Sequence, residues 1–133
     1  MGAVGASGME WTVSDLVTFL RARLDEDEAV AKSAEDGPYV GGDVYRSSWH
    51  TASCGYGMLE LLDACSCDVP ARMLADVAVK REIVAALLDA QEQVRAVPSS
   101  EFYRTQRHSF LVACACLAAA WSGHPDYDVA WMP

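Results

Sequence analysis

The sequence predicts an α-rich α+β domain: a three-helix core with a small β-hairpin between the first and second helices. Three observations predict it. Leu16, Leu20 and Leu24 recur every four residues, which draws one apolar stripe along a helix. A longer apolar pattern with 3.6-residue spacing runs from Asp68 to about Arg95. Between the two, residues 37–63 change in kind, with five Gly, three Tyr and one Trp set among Ser and Thr.

The first helix has its start signal in Thr12 and Ser14, both good N-caps, with Asp15 three residues after Thr12 at the spacing of a capping box. Val17 and Phe19 flank the leucine stripe, and Arg21, Arg23, Asp25, Glu26, Asp27 and Glu28 are assigned to the other side. The helix fades over residues 32–36 and stops at Gly37-Pro38, because proline cannot continue it. Val44-Tyr45-Arg46 and Ser48-Trp49-His50-Thr51 are β-prone pieces of the expected hairpin, with a return strand between Gly57 and Leu62. Met58–Leu62 reads equally well as a helical turn.

The second helix is the clearest element. Asp68 caps it, Pro70 sits in its first turn, and Met73, Leu74, Val77, Val84, Leu87, Leu88 and Val94 form the apolar face. Ile83 and Val79 are expected to widen that face. Pro98-Ser99-Ser100 ends the pattern, and Ser100 caps a third helix from about Glu101 to Trp121, closed by Gly123 and Pro125. An aromatic tail follows, from His124-Pro125-Asp126-Tyr127 to Trp131 and Pro133.

A length of 133 residues suits one domain. Residues 1–13 hold three Gly and no periodicity, so they are expected to form a flexible leader ahead of a single globular domain over 14–133. Met9 offers an alternative natural start. The N-terminus lacks the basic start and apolar run of a secretory signal. The longest apolar stretch, Phe110–Trp121, is too short to span a bilayer. Five cysteines, four of them in two Cys-x-Cys pairs, do not suit an extracellular disulfide framework. These features point to the cytoplasm and away from a membrane.

Ten Lys+Arg stand against nineteen Asp+Glu, a net charge of −9. Such a field repels nucleic acid and anionic membranes alike. The excess is uneven. Residues 15–36 carry seven acids and three bases, whereas the second helix is balanced at four of each.

Much of the chain resembles a family of small actinobacterial and actinophage proteins of unknown function. The resemblance rests on Asp15 to Glu28, Gly37-Pro38-Tyr39, Pro70-Ala71-Arg72, Lys80-Arg81-Glu82-Ile83, and the closing His124-Pro125-Asp126-Tyr127 with Trp131 and Pro133. It reaches from Asp15 to the C-terminus and is loosest over the expected hairpin. Members often carry His before the Pro-Ala-Arg, where this chain has Cys65-Ser66-Cys67, so any role of those His side chains does not transfer. The resemblance implies a lineage and brings no activity.

Function is therefore sought in constellations. The leading expectation is a small acidic accessory protein whose partner-binding residues are Asp25, Glu26, Asp27 and Glu28, with Tyr127 and Trp131. The plainer readings are a solvated helix face for the acids and a tail stapled onto the bundle for the rings. Acids at duplex-like spacing would instead mimic nucleic acid. The alternative is a zinc module built from Cys54, Cys65, Cys67 and His50, with His108 or His124 as further ligands. Cys114 and Cys116 do not fit it, because residues two apart on a helix point about 200° from one another. As core thiols they need no metal. A thiol enzyme using Cys65 or Cys67 comes third, with no motif to support it. No cofactor and no catalytic residue are assigned. Lys80 and Gln91 break the best heptad register, which leaves the oligomeric state open.

Overall fold

Thr12 and Asp15 begin the first helix as their spacing requires. The Asp15 N–H donates to Thr12 Oγ1 at 3.0 Å, and the Thr12 N–H donates to Asp15 Oδ2 at 2.8 Å. This reciprocal cap satisfies donors that helix geometry leaves without partners and is worth about 1 kcal/mol. The computed structural model describes residues 11–35 and 69–133. It contains α1 (Val13–Glu35), α2 (Val69–Ala96) and α3 (Glu101–Ala118), followed by two 3-10 turns at Ala119–Trp121 and Val129–Trp131. No helix among the described residues is long and apolar enough to cross a membrane.

The expected α+β class is corrected. Every element among the described residues is helical, and no strand occurs among them. The segment over which the hairpin was expected, 37–63, lies outside the described residues. Tyr, Trp and Thr favour strands only where a sheet exists to receive them. A two-stranded hairpin is marginal alone, and the described elements provide no strand to extend it.

The chain divides into two units, one made of Met1–Arg23 with Lys80–Pro133 and the other of Leu24–Val79. In the first unit, the core combines Leu16, Val17, Phe19 and Leu20 of α1 with Val84, Leu87 and Ala90 of α2. Cys114 and Ala118 of α3 join them, together with Tyr127 and Trp131 of the tail. Within the second, Leu24, Ala31 and Val77 are buried, as is Pro70.

The four-residue connection after α2 folds α3 back alongside it. Ser100 Oγ accepts the Tyr103 N–H at 3.1 Å, capping α3 as its position requires. Arg104 Nη1 ties the start of α3 to the Pro98 carbonyl at 2.7 Å. Arg107 Nη1 donates to Gln91 Oε1 at 3.5 Å, and Cys114 Sγ lies 3.9 Å from the Ile83 carbonyl. Seven residues forward in α3 correspond to eight residues back in α2, so the pair runs antiparallel.

Two assignments on these helices are corrected. Val79 is 60% exposed and does not widen the apolar face of α2. It lies two positions from Val77, about 200° around the helix. Arg23, assigned to the polar side of α1, is only 6% exposed.

Candidate functional site

The site begins with the tail, which has no periodicity of its own and is built from successive tight turns. Backbone bonds link Ser122 to Ala119, His124 to Trp121, Tyr127 to His124, Trp131 to Asp128 and Met132 to Val129, at 2.8–3.1 Å. Asp128 caps the last turn, its Oδ1 accepting the Ala130 N–H at 2.9 Å. Because each bond spans three residues, none of them holds the tail to the helices. Aromatic contacts do.

Phe19 of α1 is the hub. Its ring meets Trp121 at 6.4 Å, His124 at 5.7 Å and Tyr127 at 5.9 Å, all near edge-to-face, and Trp131 at 5.1 Å in a tilted arrangement. Trp131 also meets Tyr127 and Trp11 edge-on, at 5.5 and 6.3 Å. Such geometries set the positive ring edge against the negative face. The Arg23 guanidinium lies 5.1 Å from the Phe19 centroid, and its Nη1 sits against both ring nitrogens of His124, 2.9 Å from Nδ1. His124 Nδ1 accepts the Asp126 N–H as well, at 3.0 Å. One imidazole thus fixes both the buried arginine and the turn after Pro125.

Around this cluster lies a cleft of about 430 Å³ lined by residues that include Trp11, Phe19, Trp131, Asp15, Asp126 and Asp128. Arg23 and Thr18 also line it. A second, apolar cleft of about 540 Å³ shares Trp11 and Trp131 in its lining, together with His108, Leu111, Val112 and Met132. Buried polar atoms gather here. The indole nitrogens of Trp11 and Trp131 and the Tyr127 hydroxyl have no hydrogen-bond partner among the described residues. Burial, reinforced by the neighbouring charge of Asp128, raises the Tyr127 pKa above its ordinary value.

The expected site residues are placed as follows. Asp25 and Glu26 are exposed on α1, Asp27 and Glu28 are half-exposed, and Glu28 pairs with Lys32 at 2.8 Å one turn on. Tyr127 and Trp131 are buried in the Phe19 cluster, the position expected of a stapled tail. Cys54, Cys65, Cys67 and His50 lie outside the described residues. Among the described residues no group of three or more His, Cys, Asp or Glu is arranged to hold a metal ion. Arg23, Asp126, Asp128 and Trp11 are residues of the cleft that periodicity and motif reading did not assign to a site.

The second cysteine pair splits. Cys114 is buried, but Cys116 is exposed and is not a core thiol. Burial pushes the Cys114 thiol from 9.0 up to about 11. The unfolded chain thus ionises first, and stability is fully present below about pH 9 and declines as pH rises towards about 11. At about 1.4 kcal/mol per unit the loss is at most about 2–3 kcal/mol. Urea midpoints across this range should fall more steeply for the native protein than for Cys114→Ala. Equal slopes would refute it.

The model of one family, described as a family of unknown function (DUF6221), matches residues 13–133. No curated protein and no solved structure matches the chain.

Proposed function

The chain belongs to that family of unknown function, and from this premise we propose that it is a small acidic accessory protein of an actinobacterium or its phage. It works in the cytoplasm and binds a basic protein partner. The observation that carries this reading is the local charge. Six acids against three bases in Val13–Glu35 place −3 of the −9 on one helix, and Asp25 and Glu26 are exposed there. Such a field speeds encounter with a basic surface and selects against acidic ones.

The test is recovery of tagged protein from an actinobacterial host at low and high salt. A basic protein is expected to co-purify at low salt and to be released at about 0.5 M, where screening confines exposed charges to a few ångströms. It should be missing when Asp25→Asn, Glu26→Gln, Asp27→Asn and Glu28→Gln are combined. Indistinguishable eluates from the two proteins at every salt concentration would overturn this reading.

A further inference from the structure

The large apolar side chains that stay exposed are not scattered. Seven are exposed among the described residues, and five of them lie on α3 or in the connections at its two ends: Val97, Phe102, Val112, Val129 and Met132. Exposed apolar surface gathered in one region marks an interaction face. On α3 itself the exposed residues Phe102, Thr105, Ser109, Val112 and Cys116 follow at spacings of three, four, three and four. That is the seam of a two-helix coil, on the side opposite the buried Cys114 and Ala118. Ser109 Oγ donates to the Thr105 carbonyl at 3.2 Å, so the serine in the middle of the seam is served within its own helix.

Two properties of the seam identify what covers it. The first is the order of sizes. Phe102 stands at one end, Thr105 and Ser109 follow, and Cys116, Ala119 and Ala120 close the other end. Laid antiparallel on a copy of itself, with the twofold axis between Phe110 and Leu111, the seam sets Phe102 against Ala119, Thr105 against Cys116 and Ser109 against Val112. Each larger side chain then meets a smaller one, as a knob meets a hole. Parallel pairing would instead stack Phe102 on Phe102 and Val112 on Val112. The second property is charge. The charged residues of α3, Glu101, Arg104 and Arg107, all lie in its first half, and residues 109–118 carry none. Antiparallel pairing therefore brings the charged half of each copy against the uncharged half of the other. For a chain of net charge −9, α3 is a helix on which two copies meet without opposing acids, since its one acid stands against two bases.

We infer that the chain pairs with a second copy of itself through the exposed seam of α3. The two helices run antiparallel, and Phe102 of each copy seats on Cys116, Ala119 and Ala120 of the other. An 18-residue helix offers a seam about 27 Å long, at the small end of specific interfaces, so the dimer is weak and forms as concentration rises. The inference does not rest on the basic-partner reading, whose acids belong to α1.

Sedimentation equilibrium of the full chain under reducing conditions, from about 10 µM to about 1 mM, should show a monomer–dimer equilibrium. Phe102→Glu should raise its Kd at least about tenfold, the scale of a lost aromatic anchor. Because Phe102 is 69% exposed, far-UV circular dichroism of that variant should match the native protein. Val79→Ser removes an exposed apolar residue of α2 and should leave the Kd unchanged. In Thr105→Cys, mild oxidation should join position 105 to Cys116, read by mass spectrometry of the linked peptides. Those positions lie about 16 Å apart within one helix, beyond the reach of a disulfide, so any such bond joins two copies. A monomer at every concentration would overturn the inference and leave the seam to another occupant. Equal weakening by Val79→Ser and Phe102→Glu would overturn it as well, and a Cys116–Cys116 bond in the oxidised native protein would overturn the antiparallel pairing.

Discussion

Phe19→Ala is expected to destabilise the protein by about 3–5 kcal/mol, the range for truncating a buried aromatic ring. The C-terminal tail should lose its protection from exchange more than any other part of the first unit. The reason is the way the tail is held. The backbone bonds donated by Ser122, His124, Tyr127, Trp131 and Met132 each close within three residues and make turns without anchoring them. Phe19 contacts the rings of Trp121, His124, Tyr127 and Trp131 and supports the Arg23 guanidinium, which in turn holds His124. Removing one ring therefore removes four ring contacts, each worth roughly 0.5–1.5 kcal/mol beyond its buried area. Near-UV circular dichroism and hydrogen exchange of residues 121–132 should report the release of the tail, and urea unfolding the stability. Phe19→Leu keeps most of the volume and loses the ring geometry, so it should fall between the native protein and Phe19→Ala. A loss below about 1 kcal/mol for Phe19→Ala, with tail exchange unchanged, would show that other contacts hold the tail.

Some of this arrangement was legible in the residues themselves. Local signals read well: Thr12 with Asp15, and Ser100 with the Tyr103 N–H, are caps that depend on residues three apart. The Leu16, Leu20, Leu24 stripe is buried as its spacing requires. Arg23 shows where residue type misled. It stands seven residues after Leu16 and four after Phe19, so helical geometry places it beside the stripe, although its charge suggests the opposite face. What admits it to the interior is His124, one hundred and one residues away, which no local pattern reveals. The cleft was hidden for the same reason. Asp15 serves visibly as a cap, and Asp126 and Asp128 sit in an aperiodic tail, so only the packing of Phe19 against that tail brings the three together. The expected hairpin was read from β-prone residue types in 37–63, which lie outside the described residues, while every described element is helical.

Two apolar residues of α2 that periodicity reading placed on one face should separate by several kcal/mol. Leu87→Ala is expected to cost about 2–5 kcal/mol, through lost transfer energy and the cavity left among atoms that relax only in part. Leu87 is 0% exposed, with Val84 and Ala90 buried on either side of it along α2. Val79→Ala should change stability by no more than about 0.5 kcal/mol. At 60% exposure there is little buried surface to lose, and exchanging a β-branched residue for Ala in a helix gains about a few tenths of a kcal/mol, so the expected net change is close to zero. Val79 follows Val77 by two positions, and Leu87 follows Val84 by three, so only the second pair keeps to one side of the helix. Urea midpoints of the two single variants decide the matter. Comparable losses at both positions would mean that the exposed side of α2 at Val79 is covered in solution, and a neutral Leu87→Ala would mean that the core collapses around the missing side chain.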